Sequence, residues 1–154
     1  MDHLVETLRR IVGAKHVIVR PSELVVYESD GLPGYHKRPR LLVSPANRDE
    51  AIAVVQALAR AAAPFVARGA GTGLSGGALA DDIVMVGLQR MRRILALDPA
   101  ARTATVEPGV VNATLTKAAA PHGLLRRGQC RRPLGQRAVR GRAALAEVER
   151  PDHE

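Results

Sequence analysis

A glycine-rich segment between two apolar runs constrains this chain more than any other feature. Residues 68–78 read Arg-Gly-Ala-Gly-Thr-Gly-Leu-Ser-Gly-Gly-Ala and hold five of the chain's fourteen glycines. Glycine has no Cβ, so its backbone can adopt positive φ and can approach a ligand closely. Consecutive exposed N–H groups can form a concavity that binds an anion such as a phosphate. The sequence therefore predicts an anion-binding loop between buried strands at residues 64–67 and 83–86.

The composition of the 154-residue chain predicts one folded domain with an aliphatic core. Apolar residues make up 46% and aromatic residues 2%, which argues against a base-stacking platform for single-stranded nucleic acid. The single cysteine, Cys130, excludes an internal disulfide and fits a reducing compartment. Neither an apolar run of about 18 residues, as a membrane span needs, nor a signal peptide is visible. We expect a cytoplasmic protein without a membrane span.

The net charge of +8 is concentrated at the carboxyl end, where residues 124–154 hold eight arginines and four acidic residues. Such a tail could bind the phosphates of nucleic acid or of an anionic lipid. No helix-turn-helix or zinc pattern accompanies the arginines, so nucleic-acid binding is the weaker hypothesis. The five histidines lack metal-ligand spacing, and Asp81 and Asp82 are predicted to lie in a turn. The sequence identifies neither a metal site nor a catalytic residue.

A strand–helix–strand unit is predicted immediately before the glycine-rich segment. Leu41–Val43 is the first strand, and Asn47 with Glu50 resembles a capping box that starts the helix. The second strand begins at Phe65. The apolar residues assigned to one face of the helix are Ile52, Val55, Leu58, Ala59 and Ala62.

The remaining patterns predict shorter elements around this unit. A helix capped by Asp2 is predicted to end at Gly13, and residues 17–19 and 24–26 read as extended segments. Residues 94–98 and 103–107 predict a hairpin in which Glu107 lies on the more exposed face of its strand. Asn112 is predicted to cap a further helix. Residues 143–148 could form one or two helical turns.

Residues 71–76 match the letters of the dinucleotide-binding pattern G-x-G-x-x-G, but the context of that motif is missing. A Rossmann turn needs a helix that opens at the third glycine. Here an apolar strand follows too soon after Gly76 for such a helix. No Lys-Ser or Lys-Thr pair follows Gly76 either, which excludes a Walker A loop. A plain glycine-rich turn between strands remains the simpler alternative.

Taken together, these residues resemble the FAD-binding domain of the vanillyl-alcohol-oxidase/PCMH superfamily, in its glycolate oxidase D-subunit and D-lactate dehydrogenase branch. The resemblance is carried by Pro45, the strand–helix–strand unit, the loop at 68–78 and the Val106–Val110 turn. Residues 27–30 and 115–118 also match, so it covers roughly residues 1–125. The implied fold is α+β: the N-terminal part of a PCMH-type FAD-binding domain, a small sheet with flanking helices.

The resemblance also implies a cofactor site. In that family the glycine loop binds the FAD pyrophosphate through backbone N–H groups. Arg68 either adds positive charge there or is solvated at the end of its strand. Some members attach the flavin through a histidine in this loop; Thr72 stands at the matching position, which implies non-covalent FAD. The implied cofactor-binding residues are Pro45, Arg68, Gly69, Ala70, Gly71, Thr72, Gly73, Leu74, Ser75, Gly76, Gly77, Ala78 and Gly109.

The implied activity is FAD-dependent oxidation of a 2-hydroxy acid such as glycolate or D-lactate, with partner subunits as a further possibility. The alternative is a fragment that binds FAD or another anion without catalysis, or one that needs a partner chain. The sequence divides into an N-terminal helix and arm (1–40), a partial FAD-binding domain (41–125) and an arginine-rich tail (126–154) that is disordered or foreign to the family.

The tail departs from the family pattern. After Pro121-His122-Gly123-Leu124 the family continues with Pro-Ser and Gly-Gly-Asn segments and a separate substrate domain, and none of these is found here. One hypothesis is that the tail is a frameshifted or prematurely ended reading of a longer gene.

Overall fold

The computed structural model describes residues 2–31 and 34–124 and the backbone of residues 144–147. The chain divides into two compact units, Met1–Met91 and Arg92–Glu154. The sequence-based division after residues 40 and 125 rests on composition and stays a prediction. The arginine-rich tail lies outside the described residues except for the backbone of 144–147.

A four-stranded sheet forms the centre of the first unit. The elements in chain order are α1 (Asp2–Val12), β1 (Val17–Ile18), α2 (Pro21–Leu24), β2 (Leu41–Val43), α3 (Arg48–Arg60), β3 (Phe65–Arg68) and β4 (Val84–Gly87). The strand order is β1-β2-β4-β3. Strands β2 and β3 both run parallel to β4, whereas β1 pairs antiparallel with β2. The predicted strand–helix–strand unit is confirmed, and β4 lies between its two strands.

The alternation of side chains along β2 and β4 builds two apolar layers. Helices α1 and α3 cover one face, where the buried cluster consists of Leu8, Val12, Val17, Leu41, Val43, Val54, Ala57, Leu58, Val84 and Val86. The opposite face carries a smaller cluster of Leu24, Leu42, Ala80 and Met85. Because both faces of the two central strands are covered, β2 and β4 are buried along their length.

Helix α3 begins as predicted but turns a different face to the sheet. The Glu50 N–H donates to Asn47 Oδ1 at 2.9 Å, which confirms the cap. The buried residues are Val54, Ala57 and Leu58, whereas Ile52 and Val55 are 41% and 40% exposed. Ala59 is exposed as well, and Ala62 is exposed beyond the end of the helix, so Leu58 is the one buried residue of the predicted face. Every residue from 51 to 59 except Gln56 is apolar, so helical periodicity alone fits more than one stripe.

Residues 24–26 are not extended. Pro21 occupies the first turn of α2, and a 3₁₀ turn at Val25–Tyr27 continues from it. Proline at a helix start has its φ already set for the helix and lacks the N–H that would go unsatisfied there. The helix start at Pro21 outweighs the strand preference of Val25 and Val26, which are 50% and 72% exposed.

The second unit contains an antiparallel sheet and one helix. Its elements are β5 (Ile94–Asp98), β6 (Thr103–Val106), α4 (Asn112–Ala119) and β7 (Ala144–Glu147), with the strand order β5-β6-β7. The β5–β6 hairpin confirms the prediction. The buried cluster consists of Ala104, Val106, Leu115, Ala119 and Leu124.

Three predictions fail in this unit. Asn112 is the first residue of α4 rather than its cap; Val111 precedes it, and no side chain caps the helix. Residues 144–147 form a strand because their backbone pairs with β6, and pairing outweighs the helix preference of Ala and Leu. Glu107 is buried instead of exposed, since β6 ends at Val106 and the chain turns there.

Candidate functional site

The glycine-rich segment forms the connection between parallel strands β3 and β4. A parallel pair requires the chain to return from the carboxyl end of one strand to the amino end of the next. Residues 69–83 make this return without forming a helix or strand. The length of the segment therefore has a topological cause. The loop starts at the carboxyl edge of the sheet, which is where open α/β sheets bind their ligands.

The loop exposes its backbone at the glycines. Gly71 and Gly76 have φ of 72° and 69°, values that glycine adopts without strain. Methyl groups built on Gly69, Gly73 and Gly77 would meet nothing within 4 Å, so these faces are open. The open backbone N–H groups and the exposed hydroxyl groups at 72 and 75 are uncharged hydrogen-bond donors. Phosphate oxygens accept hydrogen bonds from donors of this kind.

Arg68 lies beneath this loop. Arg68 is 8% exposed, so it is not an arginine solvated at the end of its strand. Its Nη1 donates to the carbonyl oxygen of Tyr27 at 3.5 Å. A methyl group on Gly71 would overlap the Arg68 guanidinium, so the side chain lies directly against the loop backbone. The positive charge is held close to the glycines from below.

Pro45 follows β2 at the same edge of the sheet and is less than 2% exposed. The residue before it, Ser44, accepts two hydrogen bonds from the segment after β4: Arg90 Nη1 donates to its carbonyl oxygen at 2.5 Å and Gln89 Nε2 to its Oγ at 3.4 Å. Gly109 lies in the second unit, in the turn after β6. The cofactor roles of Pro45 and Gly109 stay predictions.

Charged side chains of both signs lie around the carboxyl end of β2, where the Glu50 carboxylate accepts the Ala46 N–H at 2.8 Å. The Ser44 N–H donates to the carbonyl oxygen of His16 at 3.0 Å, which places β1 and its preceding turn beside this edge. Burial lowers the pKa of the His16 imidazole, the charges of Arg90 and Lys15 lower it further, and the charge of Glu50 opposes them.

Sequence reasoning missed the contact between the N-terminal arm and the loop. The sequence places residues 28–31 in the N-terminal arm and predicts no partner for them. In the structure the N–H of Gly31 donates to the carbonyl oxygen of Gly73 at 3.0 Å. The signal that could have found this contact is the Tyr27–Asp30 stretch, which is part of the family resemblance although it lies far from the loop in sequence.

The described part of the chain has neither a metal-binding cluster nor a membrane-spanning helix. Within residues 2–31 and 34–124, no three His, Cys, Asp or Glu side chains are grouped so that they could hold a metal ion. Across the same residues, no helix has the length and apolarity to cross a membrane. Cys130 lies outside the described residues.

Comparison with known proteins identifies the family. Residues 39–132 match the family model described as "FAD binding domain", and the chain belongs to this family. Its cofactor is FAD, as predicted. The glycolate oxidase subunit GlcD of Escherichia coli K12 is 41% identical over 118 residues, which are 76% of this chain and 24% of that protein. The D-2-hydroxyglutarate dehydrogenase of Stutzerimonas stutzeri is 30% identical, over 79% of this chain and 26% of that protein.

Solved structures support the same fold. The crystal structure of p-cresol methylhydroxylase with substrate bound superposes with a TM-score of 0.69 at 19% identity, over 84% of this chain and 26% of the other. The predicted α+β, PCMH-type architecture is thereby confirmed. The chain spans about a quarter of the length of the curated relatives it matches.

Proposed function

We propose that this chain binds FAD non-covalently, with the glycine loop at residues 68–78 holding the pyrophosphate, as the cofactor portion of a 2-hydroxyacid oxidoreductase. One observation carries the proposal: a glycine loop with open backbone faces starts at the carboxyl edge of a parallel sheet. The loop is also the segment that the sequence predicted as an anion site.

The chemistry of the loop suits a pyrophosphate. Two linked phosphates need many donors within a short span, and backbone N–H groups supply them without side-chain bulk. Arg68 adds a fixed positive charge behind the loop. Thr72 and Ser75 can add hydroxyl donors. The proposed cradle therefore combines close approach with partial charge neutralisation.

Non-covalent attachment is supported by the residues in the loop. Residues 68–78 contain no histidine or cysteine, and Thr72 stands where the resemblance places a flavin-linked histidine in other family members. A threonine hydroxyl can donate to a phosphate but is not the imidazole that such a linkage uses. Acid precipitation is therefore expected to release all bound flavin into the supernatant.

The proposed activity is supported by the similarity of the chain to a glycolate oxidase subunit and to a D-2-hydroxyglutarate dehydrogenase. Bound FAD would supply the redox centre that accepts electrons from the hydroxy acid. The described residues supply a phosphate cradle, and groups that bind the acid would come from other segments or from a partner subunit. The proposed location is the cytoplasm, supported by the single cysteine.

The proposal is tested by purifying the 154-residue chain and titrating it with FAD, with riboflavin as the matched ligand that lacks the pyrophosphate. We expect FAD fluorescence to change saturably and riboflavin to bind much more weakly. Equal binding of both ligands would place the flavin ring, not the pyrophosphate, at the site. A folded chain that binds neither ligand would contradict the proposed function. Binding without turnover of glycolate or D-lactate would assign this chain the cofactor role alone.

A further inference from the structure

The glycine loop has few side-chain contacts of its own. Its glycines at 69, 73 and 77 meet no atom within 4 Å where a Cβ would stand, and Leu74 is 68% exposed. Glycine also has more backbone freedom to lose than any other residue. A loop of this kind pays a conformational entropy cost when a ligand fixes it, unless other residues hold it beforehand.

Gly31 supports the loop from the N-terminal arm. Its N–H donates to the carbonyl oxygen of Gly73 at 3.0 Å. A methyl group on Gly31 would lie 2.8 Å from the carbonyl oxygen of Thr72 and 2.9 Å from that of Gly73. Both neighbours are backbone atoms, so they cannot rotate away as a flexible side chain could. Only glycine fits at position 31 while the loop keeps this path.

Arg68 supports the loop from the end of β3. Its guanidinium lies against Gly71 and also reaches the carbonyl oxygen of Tyr27. The side chain therefore connects the arm to the loop. Gly71, with φ of 72°, is a position where a larger residue would be strained even without the arginine. Two contacts, at Gly71 and Gly73, thus link the loop to residues 27–31.

The far end of the arm is fixed to the end of the same loop. The Asp82 N–H donates to the carbonyl oxygen of Arg38 at 3.0 Å, and the Arg40 N–H donates to that of Ile83 at 2.9 Å. Lys37 Nζ pairs with Asp81 Oδ2 at 2.7 Å, and Arg40 pairs with Asp82. Exposed ion pairs contribute little each, but the backbone hydrogen bonds fix the position of the arm along the loop.

From this geometry we propose that Gly31 and Arg68 are positioning residues that hold the glycine loop in its binding shape before FAD arrives. This inference rests on the proposed FAD-binding function, because the shape matters only if the loop binds the pyrophosphate. Neither residue is proposed as the principal phosphate ligand. Gly31 acts through Thr72 and Gly73, and Arg68 acts through Gly71 and Tyr27.

The first test measures the loop without any ligand. Amide hydrogen exchange is followed at positions 31 and 79, whose N–H groups donate to the carbonyl oxygens of Gly73 and Gly76. The full 154-residue chain is compared as the wild type, as Gly31→Ala and, as a control in the same arm, as Ser29→Ala. We expect Gly31→Ala to increase exchange at both amides by at least about tenfold, which corresponds to roughly 1.4 kcal/mol. Ser29→Ala should match the wild type. Unchanged exchange at both amides in Gly31→Ala would overturn the proposal, whether or not the chain binds FAD.

The second test uses FAD and separates positioning from direct phosphate contact. Arg68→Lys keeps the charge but cannot make the same bridge between Gly71 and Tyr27. If Arg68 positions the loop, Arg68→Lys and Arg68→Ala should both weaken FAD binding by about tenfold or more and leave riboflavin binding unchanged. If Arg68→Lys binds FAD with wild-type affinity while Arg68→Ala does not, the charge acts directly on the phosphates and the positioning role is wrong. Should Gly31→Ala fail to fold, the same exchange measurement is made on Arg68→Lys. Faster exchange at positions 31 and 79 would support the positioning role, and wild-type exchange would overturn it.

Discussion

The carboxylate of Glu107 is held by Arg93 through three hydrogen bonds. The Arg93 backbone N–H donates to Oε2 at 2.8 Å, and its Nε and Nη2 donate to Oε1 at 3.0 and 2.8 Å. The Glu107 side chain is 4% exposed, whereas that of Arg93 is 66% exposed. Hydrogen bonding to the Arg93 guanidinium lowers the pKa of Glu107, although burial opposes this effect. The ionised glutamate is therefore the form that stabilises the second unit.

Replacing this carboxylate should reveal a pH-dependent loss of stability. At pH 7 we expect Glu107→Gln to lower the free energy of unfolding by about 1.5–3 kcal/mol, the range for hydrogen bonds to a charged group. Because the folded pKa lies below the unfolded value of about 4.3, the wild-type advantage is complete above that value. It should disappear as the pH falls through the folded pKa. Urea unfolding followed by circular dichroism between pH 7 and 3 measures this difference.

The control for this prediction is Glu23→Gln. Glu23 pairs with Arg20 at 3.4 Å, but the two side chains are 48% and 78% exposed. An exposed pair contributes about 0–1 kcal/mol, so Glu23→Gln should change stability little at any pH. Equal effects of the two substitutions would show that the Arg93 contacts contribute nothing specific.

Strand alternation could not predict the burial of Glu107, because alternation assigns Glu107 to a face of the strand without identifying Arg93, the partner that makes burial favourable.

At the scale of elements, the cap of α3 is a contact that the sequence predicted correctly. Asn47 Oδ1 accepts the Glu50 N–H at 2.9 Å, and Glu50 Oε2 accepts the Ala46 N–H at 2.8 Å. Asn47→Ala should destabilise the chain by about 1 kcal/mol. The same substitution at Asn112, the first residue of α4, serves as the control because no side-chain cap exists there. Comparable losses in both variants would contradict the capping role of Asn47.

The face of α3 gives a second prediction at this scale. Leu58 is fully buried in the main cluster, whereas Val55 is 40% exposed. Leu58→Ala should cost about 2–5 kcal/mol, because it removes buried methyl groups and leaves a cavity. Val55→Ala should cost less than about 1 kcal/mol. Chemical denaturation of both variants checks the assignment, and a larger loss at Val55 would mean that the face first predicted is the one that packs.

Elements with local signals were predictable, and their tertiary environment was not. The cap at Asn47, the strand at Leu41–Val43 and the β5–β6 hairpin depend on neighbouring residues, which the sequence displays directly. The buried stripe of α3 depends on which side the sheet covers. Likewise β7 is a strand only because β6 offers backbone partners.

At the scale of the whole molecule, part of the predicted cofactor site is one contiguous segment and the rest comes from residues distant in sequence. Twelve of the predicted cofactor residues lie in the first unit and Gly109 lies in the second. The loop could be predicted because it is contiguous and rich in glycine. The support from Gly31 could not, because the hydrogen bond to Gly73 joins segments that are distant in sequence. A family resemblance covering both segments indicated their importance but not their contact.

FAD binding should raise the stability of the whole chain by mass action. At a free FAD concentration of 100 times the dissociation constant, a ligand that binds only the folded state stabilises it by about 2.7 kcal/mol. For a chain of this size, 1 kcal/mol shifts the midpoint of thermal unfolding by about 2–4 °C, so we expect an increase of roughly 5–11 °C. Differential scanning fluorimetry with an extrinsic dye that does not overlap flavin emission measures the shift. Riboflavin at the same concentration is the control and should give a much smaller shift, since it cannot occupy the phosphate cradle. An equal shift with riboflavin, or no shift at saturating FAD, would contradict pyrophosphate binding by residues 68–78.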